Sequence, residues 1–206
     1  MADKKFVITI ARRYGSGGKT VGKMLAEALQ VPYYDRELLR MASEDSGINE
    51  QLFGRADERV RARLFKSSNV YADELIPPDS SDFVSDDNLF NYQAKVIKEL
   101  AAQQSCIIVG RCADYILRER DDLVRVFVHA SPSVCVENLA RLHALSPKEA
   151  EKRIEKIDRE RREYYRYHTG HDWESAVNYD LCLDSSHLGF DKCVDIIKGY
   201  IDVRFR

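Results

Sequence analysis

The stretch from Phe6 to Leu29, FVITIARRYGSGGKTVGKMLAEAL, constrains this chain more than any other. Phe6 to Ala11 is a nearly unbroken apolar run, the pattern of a strand buried on both faces. Gly15, Gly17 and Gly18 then predict a tight turn, with Lys19-Thr20 directly after it. Val21, Met24, Leu25, Ala28 and Leu29 recur at i, i+3, i+4, i+7 and i+8, the apolar stripe of a helix lying on a sheet. Strand, glycine-rich turn and helix in this order build a phosphate cradle. Glycines let backbone N–H groups converge without Cβ interference, and the helix N-terminus adds unpaired donors and partial positive charge. In the pattern G-x-x-x-x-G-K-[ST] the lysine reaches the β/γ-phosphates and the hydroxyl holds Mg²⁺. Gly15, Ser16, Gly17, Gly18, Lys19 and Thr20 are therefore the expected nucleotide-binding residues, with Thr20 also a metal ligand. The strict pattern is not met, because Arg13 stands where its first glycine belongs.

Parallel strands present their C-terminal ends along one edge, and later stretches add chemistry to it. Gln30-Val-Pro-Tyr-Tyr-Asp35 reads as a short strand ending in an acid. Asp35-Arg36-Glu37 is thereby placed to touch Mg²⁺ or a substrate, and Asp35 can also cap the helix that follows. Cys106-Ile-Ile-Val109 is a second buried-strand pattern, and Gly110-Arg111 after it puts a cation where an anion can bind. Leu123–His129 and Tyr179–Asp184 read as the remaining strands. The last is followed by an exit loop over Ser185 to Gly189 and a helix from Phe190 to Ile201.

Ser146-Pro-Lys-Glu149 is a capping box that starts a long charged helix. Ile154, Ile157, Arg161 and Tyr164 share its apolar stripe, whereas Arg159, Arg162 and Arg166 line another face. An inward arginine requires an anion. Asp158 can supply it as a structural pair; a bound phosphate is preferred here, because phosphoryl transfer needs positive charge at the site. Asn49 to Lys66 reads as helical, with Arg55, Arg59, Arg61 and Arg63 close together. Ser67 to Asp87, with Pro77-Pro78 and many Ser and Asp residues, reads as a loop or flap. Asp86 or Asp87 then caps the next helix.

A chain of 206 residues suits one domain. Its 32 basic against 34 acidic residues give a net charge of −2, which argues against a nucleic-acid or membrane surface, so any basic site is local. No apolar run reaches transmembrane length, and the N-terminus leads into a strand rather than a signal peptide, so a cytoplasmic protein is expected. The five cysteines are odd in number and form no C-x-x-C pair, which predicts reduced, largely buried thiols instead of disulfides or zinc ligands.

Taken together, Tyr14-Gly-Ser-Gly-Gly-Lys19, Tyr34-Asp-Arg-Glu37, Ile108-Val-Gly-Arg-Cys-Ala-Asp-Tyr-Ile-Leu117, and Ile157-Asp158 with Arg161, Tyr164-Tyr165, Thr169-Gly170 and Trp173 resemble nucleoside monophosphate kinases, most closely the cytidylate kinase-like family. The resemblance implies an α/β, three-layer P-loop kinase fold with a five-stranded parallel sheet. Its core would be residues 1–48, 88–145 and 174–206, with an acceptor-binding insert at about 49–87 and a helical lid at about 146–173. It implies ATP and Mg²⁺ as cofactors and a nucleoside monophosphate, CMP or dCMP, as acceptor; a homodimer is compatible with it. Carried over, Lys19, Asp35, Arg111 and Arg161 are catalytic, Thr20 and Asp35 serve the metal, Arg159 assists Arg161, and Gly189 lies near the adenine. Cytidylate kinases resemble D-G-R-D where this chain has Val109-Gly-Arg-Cys112, so an acid expected beside the metal is missing. A phosphate acceptor is already ionised and needs no general base, so the five histidines are read as structural or surface residues. Two other readings stand beside this one. A kinase similar to shikimate kinases would use Asp35 as base toward a hydroxyl, and a regulatory module would bind ATP without turning it over.

Overall fold

Alternation along the first strand sorts the molecule into two apolar layers. In the computed structural model, which describes residues 5–59 and 74–205 with backbone alone for 55–59, β1 (Val7–Arg12) sends Val7 and Ala11 to one side and Ile8 and Ile10 to the other. The sheet runs β2 (Tyr33–Tyr34), β3 (Cys106–Val109), β1, β4 (Leu123–His129), β5 (Leu181–Asp184), and every pairing is parallel. β1 is thus the middle strand, paired on both sides, which is why its sequence is apolar throughout.

Helices α1 (Gly18–Leu29) and α8 (Ser185–Arg204) cover the Ile8 and Ile10 face. The opposite face carries α2 (Glu37–Ser46), α3 (Glu50–Arg59), α4 (Asp86–Gln103) and α5 (Ala113–Ile116), around fully buried Phe53 and Phe90. Truncating either ring would cost about 3–5 kcal/mol, as lost transfer energy plus a cavity. α6 (Pro132–His143) and α7 (Pro147–Thr169) pack on one another through Cys135, Leu139, Ala150 and Ile154. The capping box at Ser146 and Glu149 starts α7, and Ser131 with Pro132 starts α6, as the sequence predicts.

Several boundaries differ from expectation. β1 ends one residue later, at Arg12, and β2 contains only Tyr33 and Tyr34. The exit loop after β5 is instead a helical turn. Asp184 caps it by accepting from the Ser186 amide at 2.8 Å, and the chain kinks at Gly189 (φ 70°, ψ 175°) before the helix continues. α4 is capped by Ser85 and not by either aspartate, because Ser85 has the extended backbone a cap needs and accepts from Asn88 N at 3.3 Å. Asp86 and Asp87 fall in the first turn, where the helix dipole favours acids. Four cysteines are buried and Cys182 is exposed, all as free thiols. Among the described residues no helix is long and apolar enough to cross a membrane. The side chains of Arg55, Arg59, Arg61 and Arg63 and residues 67–73 of the anticipated flap lie outside the described residues.

Candidate active site

β1 carries the chain to the C-terminal edge of the sheet, where the glycine loop turns into α1. Gly17 (φ 77°) is the N-cap, and no side chain caps the first turn, so a helix N-terminus stands open to anions. A Cβ at Gly17 would collide with the ring of Phe190 from α8, so only glycine lets that ring lie on the loop. The loop is braced from three sides. Ser16 donates its hydroxyl to the carbonyls of Arg13 (2.8 Å) and Val128 (3.0 Å), and Ser185 donates to the Ser16 carbonyl at 2.7 Å. Asn138 of α6 donates to the Gly15 carbonyl at 2.9 Å. From α7, buried Asp158 accepts from the Tyr14 amide (2.8 Å), Arg13 Nε (3.4 Å) and Arg161 Nη1 (3.3 Å). Burial pushes the Asp158 carboxyl up, and the Tyr14 amide and the two arginines oppose that. Beside the loop lies a cavity of about 560 Å³, lined among others by Gly15, Gly17, Gly18, Lys19, Thr20 and Phe190.

A second cavity, about 360 Å³, opens over the ends of β2 and β3 against α7, with Asp35, Val109, Arg111, Arg153, Glu160 and Tyr164 in its lining. The two share Arg12, Tyr14, Lys19, Arg36 and Arg161. Lys19 Nζ lies 2.5 Å from Asp35 Oδ2, and Arg12 Nη2 3.9 Å from Oδ1. Burial lowers the Lys19 pKa, and the Asp35 carboxylate partly restores it. Arg12 is pushed down to about 9, first by burial and then by the nearby Arg161. At the end of β3, Gly110, Arg111 and Cys112 all take positive φ (78°, 62° and 53°). That conformation costs the two non-glycine residues on the order of 1–3 kcal/mol each. It brings Arg111 into the lining of the second cavity.

The model of the cytidylate kinase-like family matches residues 7–187. The chain belongs to that family. A cytidylate kinase from Methanopyrus kandleri is 25% identical over 205 residues, which span 95% of this chain and 93% of the relative. Among solved structures, an uncharacterized protein from Eubacterium ventriosum aligns with a TM-score of 0.71 at 24% identity, over 96% of this chain and 99% of that one. A shikimate kinase from Bacteroides thetaiotaomicron (TM-score 0.54, 15% identity, 97% and 99% coverage) and a gluconokinase from Sinorhizobium meliloti (0.52, 15%, 97% and 93%) share the fold. Family and fold together make this a P-loop kinase.

In this cytidylate kinase-like protein, most of the expected site residues come together at the edge. Gly15, Gly17, Gly18 and Thr20 line the loop cavity, Asp35 and Arg111 the second, and Lys19 and Arg161 both. Arg161 takes the structural pair as well: besides Asp158, its Nη1 reaches the Arg12 carbonyl at 2.9 Å. Asp35 does not cap α2, since Arg36 is the N-cap and makes no side-chain cap bond. The Ser16 hydroxyl faces inward, away from the cavity. Arg159 is exposed, and neither it nor Gly189 is among the residues lining either cavity, whereas Phe190, next to Gly189, lines the first.

Sequence reading missed Arg12, Phe190 and the role of Asp158, whereas Arg36, expected beside Asp35, lines both cavities. For Arg12 a signal existed: strand and loop had to meet somewhere between Ala11 and Gly15. For Asp158 and Phe190 there was none, because their partners lie 144 and 173 positions away. Arg13, the break in the motif, is explained by the same contacts: its amide bonds Val128 O at 3.0 Å and its side chain reaches Asp158 and Glu174.

Proposed function

We propose that the protein transfers the γ-phosphoryl group of ATP to the phosphate of a nucleoside monophosphate, with CMP or dCMP as the expected acceptor. The observation that carries this reading is the pair of cavities meeting at Lys19, Arg12 and Arg161, one over the glycine loop and one beside Arg111. ATP would lie in the first with its phosphates on the loop amides and Lys19, and its base toward Phe190. The acceptor phosphate would lie in the second, on Arg111. In-line transfer between them is positioning and charge neutralisation, which cations supply without a general base. Residues 146–173 would act as the lid, since Arg161 and Asp158 of α7 already touch the loop. Residues 49–87 would form the acceptor side.

Mg²⁺ fits the donor set. Among the described residues no three His, Cys, Asp or Glu side chains gather to hold a metal. An exposed Thr20 hydroxyl and the Asp35 carboxylate are instead the sparse oxygen donors that suit an ion kept mainly by phosphate oxygens and water. Thr20, and Asp35 through water, would hold it, and when bound it neutralises charge on the phosphates.

A hydroxyl acceptor, as in the shikimate kinase reading, would need Asp35 as base. The 2.5 Å pairing of Asp35 with Lys19 weighs against that role. Incubation with Mg·ATP, a panel of nucleoside monophosphates and shikimate, followed by ³¹P NMR with Lys19→Ala as control, tests the proposal. A diphosphate formed from CMP or dCMP supports it. A phosphorylated hydroxyl product, or ATP binding with no product at all, overturns it.

A further inference from the structure

Arg12 differs from the cations around it. It stands in the wall shared by both cavities, with its side chain 14% exposed. Asp35, 3.9 Å away, is held more tightly by Lys19 at 2.5 Å. Arg161 and Arg111 add repulsion, with Arg161 the stronger, and the Arg12 Nε–H is sealed with no acceptor. A nearly buried guanidinium with an unmet donor and like-charged neighbours is unfavourable on its own. An anion brought by a ligand offsets the repulsion among these cations. Two glycines make room for this side chain: a Cβ at Gly18 would strike its stem, and a Cβ at Gly110 would overlap Nη1. Gly110 immediately precedes Arg111, so the Arg12 guanidinium rests on the same turn that delivers the other acceptor-side arginine.

We infer that Arg12 is a second ligand of the acceptor's phosphate, clamping it together with Arg111, and that position 110 is glycine to seat the Arg12 guanidinium there. This rests on the reading of the acceptor as a phosphate ester. The planar fork of Arg12 can hold two phosphate oxygens at once, which a lysine cannot. The acceptor is thereby gripped from β1 and from β3, on the two strands that pair at the centre of the sheet.

Steady-state kinetics on Arg12→Met, Arg12→Lys and Gly110→Ala, each checked by a melting curve, tests this. Gly47→Ala is the control, because Gly47 shares the positive φ (73°) but a Cβ there meets open space. Arg12→Met should raise KM for the monophosphate about 10- to 100-fold, the loss of one charged hydrogen-bonding group, while KM for ATP moves less than about threefold. Arg12→Lys should recover part of the loss, and Gly110→Ala should shift the same KM. Gly47→Ala should lower only the melting temperature. An acceptor KM within about twofold of wild type, or an equal rise for ATP, overturns the inference, and Gly110→Ala behaving like Gly47→Ala overturns the seating role. If the wild type phosphorylates no monophosphate, the acceptor reading fails by itself. Arg12 is then decided by ³¹P line broadening of inorganic phosphate on the ADP-saturated protein. Broadening by wild type but not by Arg12→Met sustains Arg12 as an anion ligand; equal broadening, or none by either, overturns it.

Discussion

The two cavities meet at Lys19 and are built in opposite ways. The loop cavity is a backbone device, in which glycines and a helix N-terminus would do the binding and side chains such as Ser16, Asn138 and Asp158 hold the loop in shape. Its neighbour is a side-chain device, assembled from Arg12 on β1, Asp35 and Arg36 after β2, Arg111 after β3 and Glu160 on α7. The difference teaches that a phosphate tail shared by all nucleotides can be read by local geometry, while the proposed acceptor would be read by residues that only the fold brings together.

Changes at the seam should break that comparison most visibly. Lys19→Ala is expected to lower turnover on the order of 10³-fold, with ATP binding weakened less than about tenfold, because the amides remain. Turnover is measured by ADP release and binding by calorimetry; equal losses in both would mean that the loop cavity too depends on side chains. Gly17→Ala should act in the reverse sense. By forcing Phe190 off the loop and straining the cap, it should weaken ATP binding by about tenfold or more, and a calorimetric Kd near wild type would refute the backbone account.

Asp158→Ala tests the brace. It strands the Tyr14 amide and the charge of Arg161, leaves Arg13 with Glu174 alone, and should cost about 3–5 kcal/mol in urea unfolding. A loss below about 1 kcal/mol would make Asp158 a surface-like pair.

His168 lines neither cavity, although its ring packs on Tyr164 of the second at 4.6 Å. It is stacked on Phe90 with ring centroids 3.8 Å apart, and burial lowers its pKa to about 3 from the usual 6.5. The unfolded chain takes up this proton near pH 6.5, and the folded one only near pH 3. Stability present above pH 6.5 is therefore lost as pH falls through that window, by up to about 1.4 kcal/mol per pH unit. His168→Phe should flatten the fall of melting temperature between pH 6.5 and 4 while leaving turnover at pH 7.5 intact. An unchanged slope would mean that His168 protonates freely in the fold. The smallest effect belongs to Arg159→Ala. This exposed side chain is not among those lining either cavity, and turnover should stay within about twofold.

How legible each part was follows from the range of its interactions. Strands β3 and β4 match the expected bounds residue for residue, because burial on both faces demands apolar residues at all positions but Arg125 and His129, which are only half-buried. The exit loop was misread because Asp184 caps the chain at once, and no apolar period marks a single turn before Gly189. Arg13 looked like a defect in the phosphate motif until Asp158 appeared beside it. Arg161 was placed correctly on the inward stripe, yet its choice between carboxylate and phosphate rested on what lay opposite, and the fold puts Asp158, the Arg12 carbonyl and both cavities there.

By itself the sequence determined the parallel α/β architecture, the glycine loop with its lysine and threonine, and the sheet edge at which most of the expected site residues gather. Periodicity and turn chemistry act within a few residues and are written in order along the chain. Only the tertiary structure decided that Asp35 pairs with Lys19 rather than capping a helix, that Phe190 lies on the glycine loop, and that Arg12 lies on Gly110 between the two cavities. Those outcomes depend on which strand lies beside which and how far a side chain reaches across the sheet edge, and neither distance is encoded in any one stretch of the chain.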